Sequence, residues 1–212
     1  EEAFSAPDVT YNLNMNKYLV VFEYWTNEAS HTSGSDIFAR RIHNAGTPGP
    51  HPLPYEIIDI SDCYQNRPTV AAYRLNYTTP YFVAYEDKWN WDVIHDVLAC
   101  ETEPSIRGIY LEQDGTLPNP ANYLNVSATY QTRETHPDIA ASEILGGYTV
   151  VWSKDSGTNM DIYLRHIDAS SGLTDAPQLV SGDLQNSRED EVNPRVAGGA
   201  PTTLGVWPED GW

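Results

Sequence analysis

The chain has 212 residues, with 30 acidic against 12 basic side chains and a formal net charge of −18. A surface this acidic repels nucleic acid and anionic membranes, so we expect neither among its partners. No apolar run approaches the ~18 residues that a membrane-spanning helix needs, which argues against membrane insertion.

A unit of roughly sixty residues occurs three times and begins a fourth time, a period typical of propellers and other stacked sheets. Each unit opens with proline, any residue, then valine or isoleucine. These openings are Pro7-Asp8-Val9, Pro68-Thr69-Val70, Pro137-Asp138-Ile139 and Pro194-Arg195-Val196. We therefore predict repeated sheets built from short strands.

Each complete unit divides into four predicted strands. The first follows the proline, which we expect to be the first residue of the strand, where no ladder donor is needed. The second is nearly continuous in apolar character, the third alternates, and the fourth is weaker. The second runs are 18–23, 81–86 and 148–153; the third are 36–42, 105–111 and 161–167; the fourth are 56–60, 123–126 and 178–180. No stretch shows a sustained helical period.

A four-stranded sheet has two faces to cover, and stacked units cover them for one another. We therefore expect Val20, Val83 and Val150 to be buried at equivalent positions. An aromatic residue recurs at the end of the second strand: Phe22, Tyr85, Trp152 and Trp207. Its repetition at one structural position favours packing between sheets over a row of ligand-stacking rings.

These recurring runs resemble the repeats of secreted bacterial and archaeal β-propeller-like surface proteins, over residues 7 to 212. The resemblance implies an all-β fold of four-stranded antiparallel blades. It predicts a single domain over 1–212, with blade 1 at 7–66, blade 2 at 67–136, blade 3 at 137–192 and a partial blade 4 at 193–212. Residues 88–104 are an insertion in blade 2.

About three and a half blades cannot close a ring, which takes about four to eight. We expect the ring to be larger than this chain and completed by the remainder of a longer polypeptide or by other protein subunits. The unpaired edge of the fourth unit would need such a cover. The chain begins with Glu1 and not with methionine, so we expect a leader that was either removed or never included in the sequence. We expect an extracellular or cell-surface location.

The two cysteines, Cys63 and Cys100, lie after the first unit's last strand and at the end of the predicted insertion. In a secreted chain we expect a disulfide between them, which would hold the insertion where two blades meet. Two free buried thiols are the alternative.

A candidate calcium site is Asp155, Asn159 and Asp161, whose oxygens recur at even spacing in a loop, as around a hard cation. An ordinary polar hairpin loop explains the same residues. Trp89 and Trp91 are a candidate platform for stacking sugars or a partner's side chains. Alternatively, both rings cover the insertion's own small core.

No catalytic or phosphate-binding motif is present, and the six histidines are dispersed. We therefore expect a non-catalytic extracellular module that is structural, adhesive or ligand-binding. We expect it to require no cofactor, and calcium is the one candidate ion. The alternative is a propeller-type glycoside hydrolase or carbohydrate-binding module. Acidic residues from several blades that converge in one pocket, one of them with a raised pKa, would favour the hydrolase.

Overall fold

The computed structural model describes residues 3–25, 35–43, 55–58, 64–75, 78–89, 100–118, 123–128, 132–181, 192–198 and 205–207. Within these ranges the chain is all strand and turn. Sheet 1 contains β1 (Ala3–Asn12), β2 (Lys17–Trp25), β3 (Ser35–His43) and β4 (Tyr55–Ile58). Sheet 2 contains β5 (Gln65–Ala72), β6 (Tyr81–Trp89), β7 (Cys100–Leu111) and β8 (Tyr123–Asn125). Sheet 3 contains β9 (Glu134–Ser142), β10 (Gly147–Asp155), β11 (Met160–Asp168), β12 (Gly172–Leu173) and β13 (Gln178–Leu179), and sheet 4 contains β14 (Arg195–Ala197) and β15 (Gly205–Trp207).

Each sheet is antiparallel, and its strands are hydrogen-bonded in the order of the chain, except that β13 of sheet 3 pairs with β11, as β12 does. The prediction of an all-β fold is confirmed. The described ranges contain no helix, and so they contain no helix long enough to span a membrane. The predicted second, third and fourth runs each coincide with a strand of the corresponding sheet. In sheet 2, β6 ends at Trp89 and β7 begins at Cys100. Both strands therefore enter the region 88–104, which was predicted to be an insertion.

The prediction that proline is the first strand residue is wrong in the first three sheets. Strands β1, β5 and β9 begin three or four residues earlier, and the proline lies inside each of them. The ladder register shifts there, because two residues of the first strand lie opposite one residue of the second. Such a bulge leaves a residue without a ladder bond, so a residue that has no N–H group fits it.

The sheets pack face to face through three apolar clusters, of which the smallest joins Ala140 and Val151 of sheet 3 to Val196 of sheet 4. Between sheets 1 and 2, Leu19 and Val21 of β2 contact Tyr81, Val83 and Tyr85 of β6. Between sheets 2 and 3, residues of β6 and β7 contact Tyr148, Val150 and Trp152 of β10. Tyr85 and Trp152 are fully buried, which confirms for these two residues that the recurring aromatic packs between sheets.

The prediction that three equivalent valines are buried is wrong for Val20. Val83 and Val150 are completely inaccessible to solvent, whereas Val20 is half-buried. The reason is the stacking direction. This position faces the preceding sheet, which is sheet 1 for Val83 and sheet 2 for Val150. Among the described residues, no sheet precedes the first one.

The first strands of successive sheets are neighbours: β1 contacts β5, β5 contacts β9, and β9 contacts β14. We call β1, β5, β9 and β14 the row of first strands. It brings the four proline-containing segments of the repeat together at one place in the fold.

The equivalent valines allow a matched test of this stacking. Val83→Ala and Val150→Ala should each lower the free energy of unfolding by about 2 kcal/mol, because each removes two methyl groups from a closed core. Val20→Ala should cost less than about 1 kcal/mol, since its side chain already contacts solvent. Urea denaturation followed by tryptophan fluorescence measures all three, and three equal losses would contradict the stacking order.

Candidate functional site at the row of first strands

The residue before each proline has an unusual backbone conformation. Ala6, Arg67, His136 and Asn193 have φ values of 44°, 49°, 56° and 54°. Non-glycine residues rarely adopt positive φ, and a following proline favours extended backbone instead. Four equivalent residues in this conformation indicate a bulge geometry that the surrounding structure imposes, and such local strain often occurs at functional sites.

Two glutamates hold these bulges to the preceding sheet. Glu23, at the end of the second strand of sheet 1, accepts a hydrogen bond from the backbone N–H of Arg67 at 2.6 Å. Glu86, at the same position in sheet 2, accepts one from the backbone N–H of His136 at 2.8 Å. Both side chains are more than nine-tenths buried. Each carboxylate therefore satisfies a backbone donor that the bulge leaves without a ladder partner.

The aspartates after the prolines make a second set of contacts between sheets. Asp8 Oδ2 accepts from the backbone N–H of Val70 at 2.7 Å, and Asp138 Oδ2 accepts from that of Val196 at 2.7 Å. The Thr69 hydroxyl lies between them, 2.9 Å from Asp8 Oδ2 and 3.4 Å from Asp138 Oδ1. Those two carboxylate oxygens are therefore at most about 6.3 Å apart.

Asp8 and Thr69 line a cavity of about 220 Å³. Every sheet contributes to its wall. The lining residues are Ala6, Pro7, Asp8, Arg67, Pro68, Thr69, His136, Pro137, Asn193, Pro194 and Arg195. The wall thus combines the cationic donors Arg67 and Arg195 with the anionic acceptor Asp8, and its apolar part consists mainly of prolines.

Arg67 and His136 form a connected set of hydrogen bonds at this cavity. The Arg67 guanidinium donates to His136 Nε2 at 2.6 Å, to Thr135 Oγ1 at 2.8 Å and to Glu86 Oε1 at 3.1 Å. Because Nε2 accepts, the proton of a neutral imidazole lies on Nδ1, which is 3.0 Å from Thr135 Oγ1. The Thr135 hydroxyl in turn donates to Glu86 at 2.5 Å. Burial and the neighbouring Arg67 charge lower the pKa of His136.

The two aspartates have the residue type and spacing that acid–base chemistry requires. Burial raises the pKa of Asp138, and the nearby Asp8 carboxylate adds to the rise; the Val196 N–H and Arg195 oppose it. A separation of about 5 to 5.5 Å between carboxyl groups is typical of retaining glycosidases. However, each aspartate also holds a backbone N–H of the next sheet, so part of each carboxylate has a structural role.

The predicted calcium ligands lie elsewhere, at the turn between β10 and β11. The amide of Asn159 donates to Asp161 at 3.2 Å, and Asp155 accepts from the backbone N–H of Gly157 at 2.7 Å. Asn159 Oδ1 also accepts from the hydroxyls of Ser156 and Thr158. The structure brings Asn159 and Asp161 together, and internal hydrogen bonds of a hairpin loop account for the arrangement. Calcium binding there stays a prediction.

The other two predicted sites fall mainly outside the described residues. Trp91 and Cys63 lie outside them. The backbone of Trp89 pairs with that of Cys100 at the ends of β6 and β7, and their side chains are outside the described part of the chain. The tryptophan platform and the disulfide therefore stay predictions.

Sequence reasoning did not assign the cavity, although its signal was present. The proline-x-valine opening that defines the repeat supplies most of the lining residues. The middle position of this opening is occupied by Asp, Thr, Asp and Arg, and these polar residue types indicate a possible functional site. Only the packing of successive first strands brings these positions together.

No protein-family model matches the chain, and no curated protein matches it either. Among solved structures, the chain is similar to an α-L-arabinanase from Penicillium chrysogenum in complex with arabinobiose. The TM-score is 0.54 at 13% identity, and the match covers 92% of this chain and 49% of the arabinanase chain. The likeness concerns the fold, and this chain spans about half the length of that protein.

The lowered pKa of His136 predicts a pH dependence of stability. The unfolded chain takes up this proton near pH 6.5, whereas the folded protein takes it up only at lower pH, so stability is lost as pH falls below 6.5. One proton contributes at most about 1.4 kcal/mol per pH unit. His136→Asn should reduce this loss between pH 6.5 and about 5, and asparagine tolerates the positive φ, as Asn193 does. Equal slopes in denaturation series of the two proteins would contradict the assignment.

Proposed function

We propose that this chain is part of a β-propeller that binds a carbohydrate in the cavity at the row of first strands. Three features support the propeller arrangement: the repeated antiparallel sheets, their stacking in chain order, and the contacts between consecutive first strands. The likeness to a propeller arabinanase over 92% of this chain supports it as well. In such a ring the first strands lie innermost, and the cavity lies on the axis.

The observation that carries the proposal is the mixture of donors and acceptors around one small space. Arg67 and Arg195 offer guanidinium donors and Asp8 offers a carboxylate acceptor. The Asp138 carboxylate lies next to this wall, 3.4 Å from Thr69 Oγ1 and 3.9 Å from Arg195 Nη1. A sugar hydroxyl both donates and accepts, so neighbouring hydroxyls can pair with both kinds of group. A free anion would be repelled by the aspartates, and a free cation by the arginines. A neutral sugar therefore suits the cavity best.

We favour ligand binding without catalysis, because both aspartates already accept hydrogen bonds that hold the sheets together. Asp8 and Asp138 each accept a backbone N–H from the next sheet, and these bonds join the sheets. We place the module outside the cell, in accordance with its acidic surface and the predicted Cys63–Cys100 disulfide. Its role there would be recognition of a glycan as part of a larger assembly.

Titration with arabinobiose, followed by calorimetry, tests the binding. We expect saturable binding that Arg67→Asn weakens at least about tenfold, as loss of a charged hydrogen-bond donor does. Arg74→Asn is the control, because Arg74 is exposed and pairs with Glu143 away from the cavity. Thermal melting must show that both variants are folded. Absence of binding to the wild-type protein, or equal effects of the two variants, would contradict the proposal.

Hydrolysis is the second candidate, and one observation favours it. Two carboxylates from different sheets converge within about 6.3 Å, and the pKa of Asp138 is raised. Asp138 would then be the general acid and Asp8 its partner. Incubation with linear arabino-oligosaccharides, analysed by chromatography, separates the two functions. If the wild-type protein releases shorter sugars and Asp138→Asn does not, hydrolysis is supported. If the oligosaccharides stay unchanged, hydrolysis is contradicted and binding is the one function that remains.

A further inference from the structure

An aromatic pair joins sheets 1 and 2 at the surface of the protein. Trp25 is the last residue of β2, and Tyr64 comes directly before β5. Their ring centroids are 5.7 Å apart, and the ring planes are tilted by 58°. Trp25 is 38% exposed and Tyr64 is half-buried. Because the rings are tilted, neither covers the whole face of the other, and part of this aromatic surface contacts solvent.

The aromatic pair lies close to the cavity. Glu23 comes two residues before Trp25 on the same side of β2, and it accepts the backbone N–H of Arg67, which lines the cavity. Two residues of a strand span at most about 7 Å. Tyr64 comes three residues before Arg67, so at most about 11 Å of backbone separates these two residues. A linear sugar chain of a few units spans such distances.

Packing within the repeat does not explain these two aromatic residues. The register places Lys88 of sheet 2 and Asp155 of sheet 3 at the position of Trp25. The backbone N–H of Lys88 donates to the carbonyl of Tyr64, and that of Asp155 donates to the carbonyl of Arg133, so Tyr64 and Arg133 are equivalent too. Polar residues therefore occupy both positions in the neighbouring sheets, whereas a core position stays apolar. The aromatic pair indicates a role at the surface.

The backbone of both aromatic residues is fixed before any ligand binds. Trp25 pairs with Ala3 on one side of β2 and with Ser35 on the other. The Tyr64 carbonyl accepts from the backbone N–H of Lys88 at 3.1 Å, and the Lys88 ammonium lies 5.7 Å from the centre of the Tyr64 ring. Aromatic rings on an ordered backbone lose little freedom on binding. The ammonium adds a hydrogen-bond donor beside them.

We propose that Trp25 and Tyr64 form a second sugar subsite, which stacks on the units of a linear oligosaccharide that extend beyond the cavity. This inference rests on the proposed function and deepens it, because it names a ligand of more than two sugar units. One face of a sugar ring carries C–H groups and is apolar, so it fits the negative face of an aromatic ring. The hydroxyl groups at its edge stay in water or bind the Lys88 ammonium.

Calorimetric titration with arabinobiose and with arabinotetraose tests the subsite. The wild-type protein should bind arabinotetraose at least about fivefold more tightly, because only the longer chain reaches the rings from the cavity. Trp25→Ala should remove this difference and leave the affinity for arabinobiose unchanged. Trp25→Phe should keep most of the difference, since phenylalanine also stacks, but it should lose the change in tryptophan emission that arabinotetraose causes in the wild-type protein.

Tyr11→Ala is the matched control. Tyr11 is 39% exposed and pairs with Tyr18 at a centroid distance of 4.8 Å, but this pair lies at the opposite end of β1 from the residue that pairs with Trp25. The control should leave both affinities unchanged. Thermal melting must show that all variants are folded.

Equal affinities of the wild-type protein for the two sugars would overturn the inference. So would a preference for arabinotetraose that persists in Trp25→Ala, or one that Tyr11→Ala removes equally. Arg67→Asn separates the inference from the proposed function. If Arg67→Asn weakens binding and no preference for arabinotetraose exists, the subsite is refuted and the cavity stands. If Trp25→Ala weakens arabinotetraose binding and Arg67→Asn changes neither affinity, the cavity is refuted and the aromatic subsite stands. A wild-type protein that binds neither sugar would refute both.

Discussion

Carboxylates that bind backbone N–H groups of the next sheet are the interaction on which the fold and the cavity depend. Each proline bulge interrupts a β-ladder and leaves a donor facing the preceding sheet. Glu23 and Glu86 accept these donors, while Asp8 and Asp138 accept the N–H two residues after the proline. A buried charged acceptor contributes about 1.5 to 3 kcal/mol per bond, and losing it leaves an unsatisfied donor. The bulge and the acidic residue therefore require each other.

These polar contacts fix the direction in which the sheets stack, and the apolar faces follow. The second strand of a sheet presents leucine, valine or phenylalanine toward the next sheet. Toward the preceding sheet it presents tyrosine, valine and tryptophan. The two faces are not interchangeable, since only one carries the glutamate. Directional stacking explains why burial differs so strongly between equivalent residues. It also makes the first sheet different from all the others.

The same chemistry that joins the sheets makes the cavity suitable for a polar ligand. Positive φ at Arg67 and His136 directs residues of two sheets into one space, where they meet Asp8 of sheet 1 and Arg195 of sheet 4. The Arg67, His136, Thr135 and Glu86 hydrogen bonds fix the orientation of these groups without bound ligand. Preorganised donors and acceptors reduce the entropic cost of binding. In the proposed function, structural and recognition roles would thus share the same side chains.

The sequence alone determined the repeat, the all-β class and the order of strands, because β-propensity and the alternation of apolar residues are local properties of the chain. Val83, Val150, Tyr85 and Trp152 were correctly predicted to be buried for that reason. The exposure of Val20 was decided only by the tertiary structure, since it depends on whether another sheet precedes the first. The position of proline within a bulge, and the meeting of Asp8, Thr69 and Arg195 at one cavity, were also decided by the tertiary structure. Contacts between residues about sixty positions apart depend on how whole sheets pack, which no local pattern encodes.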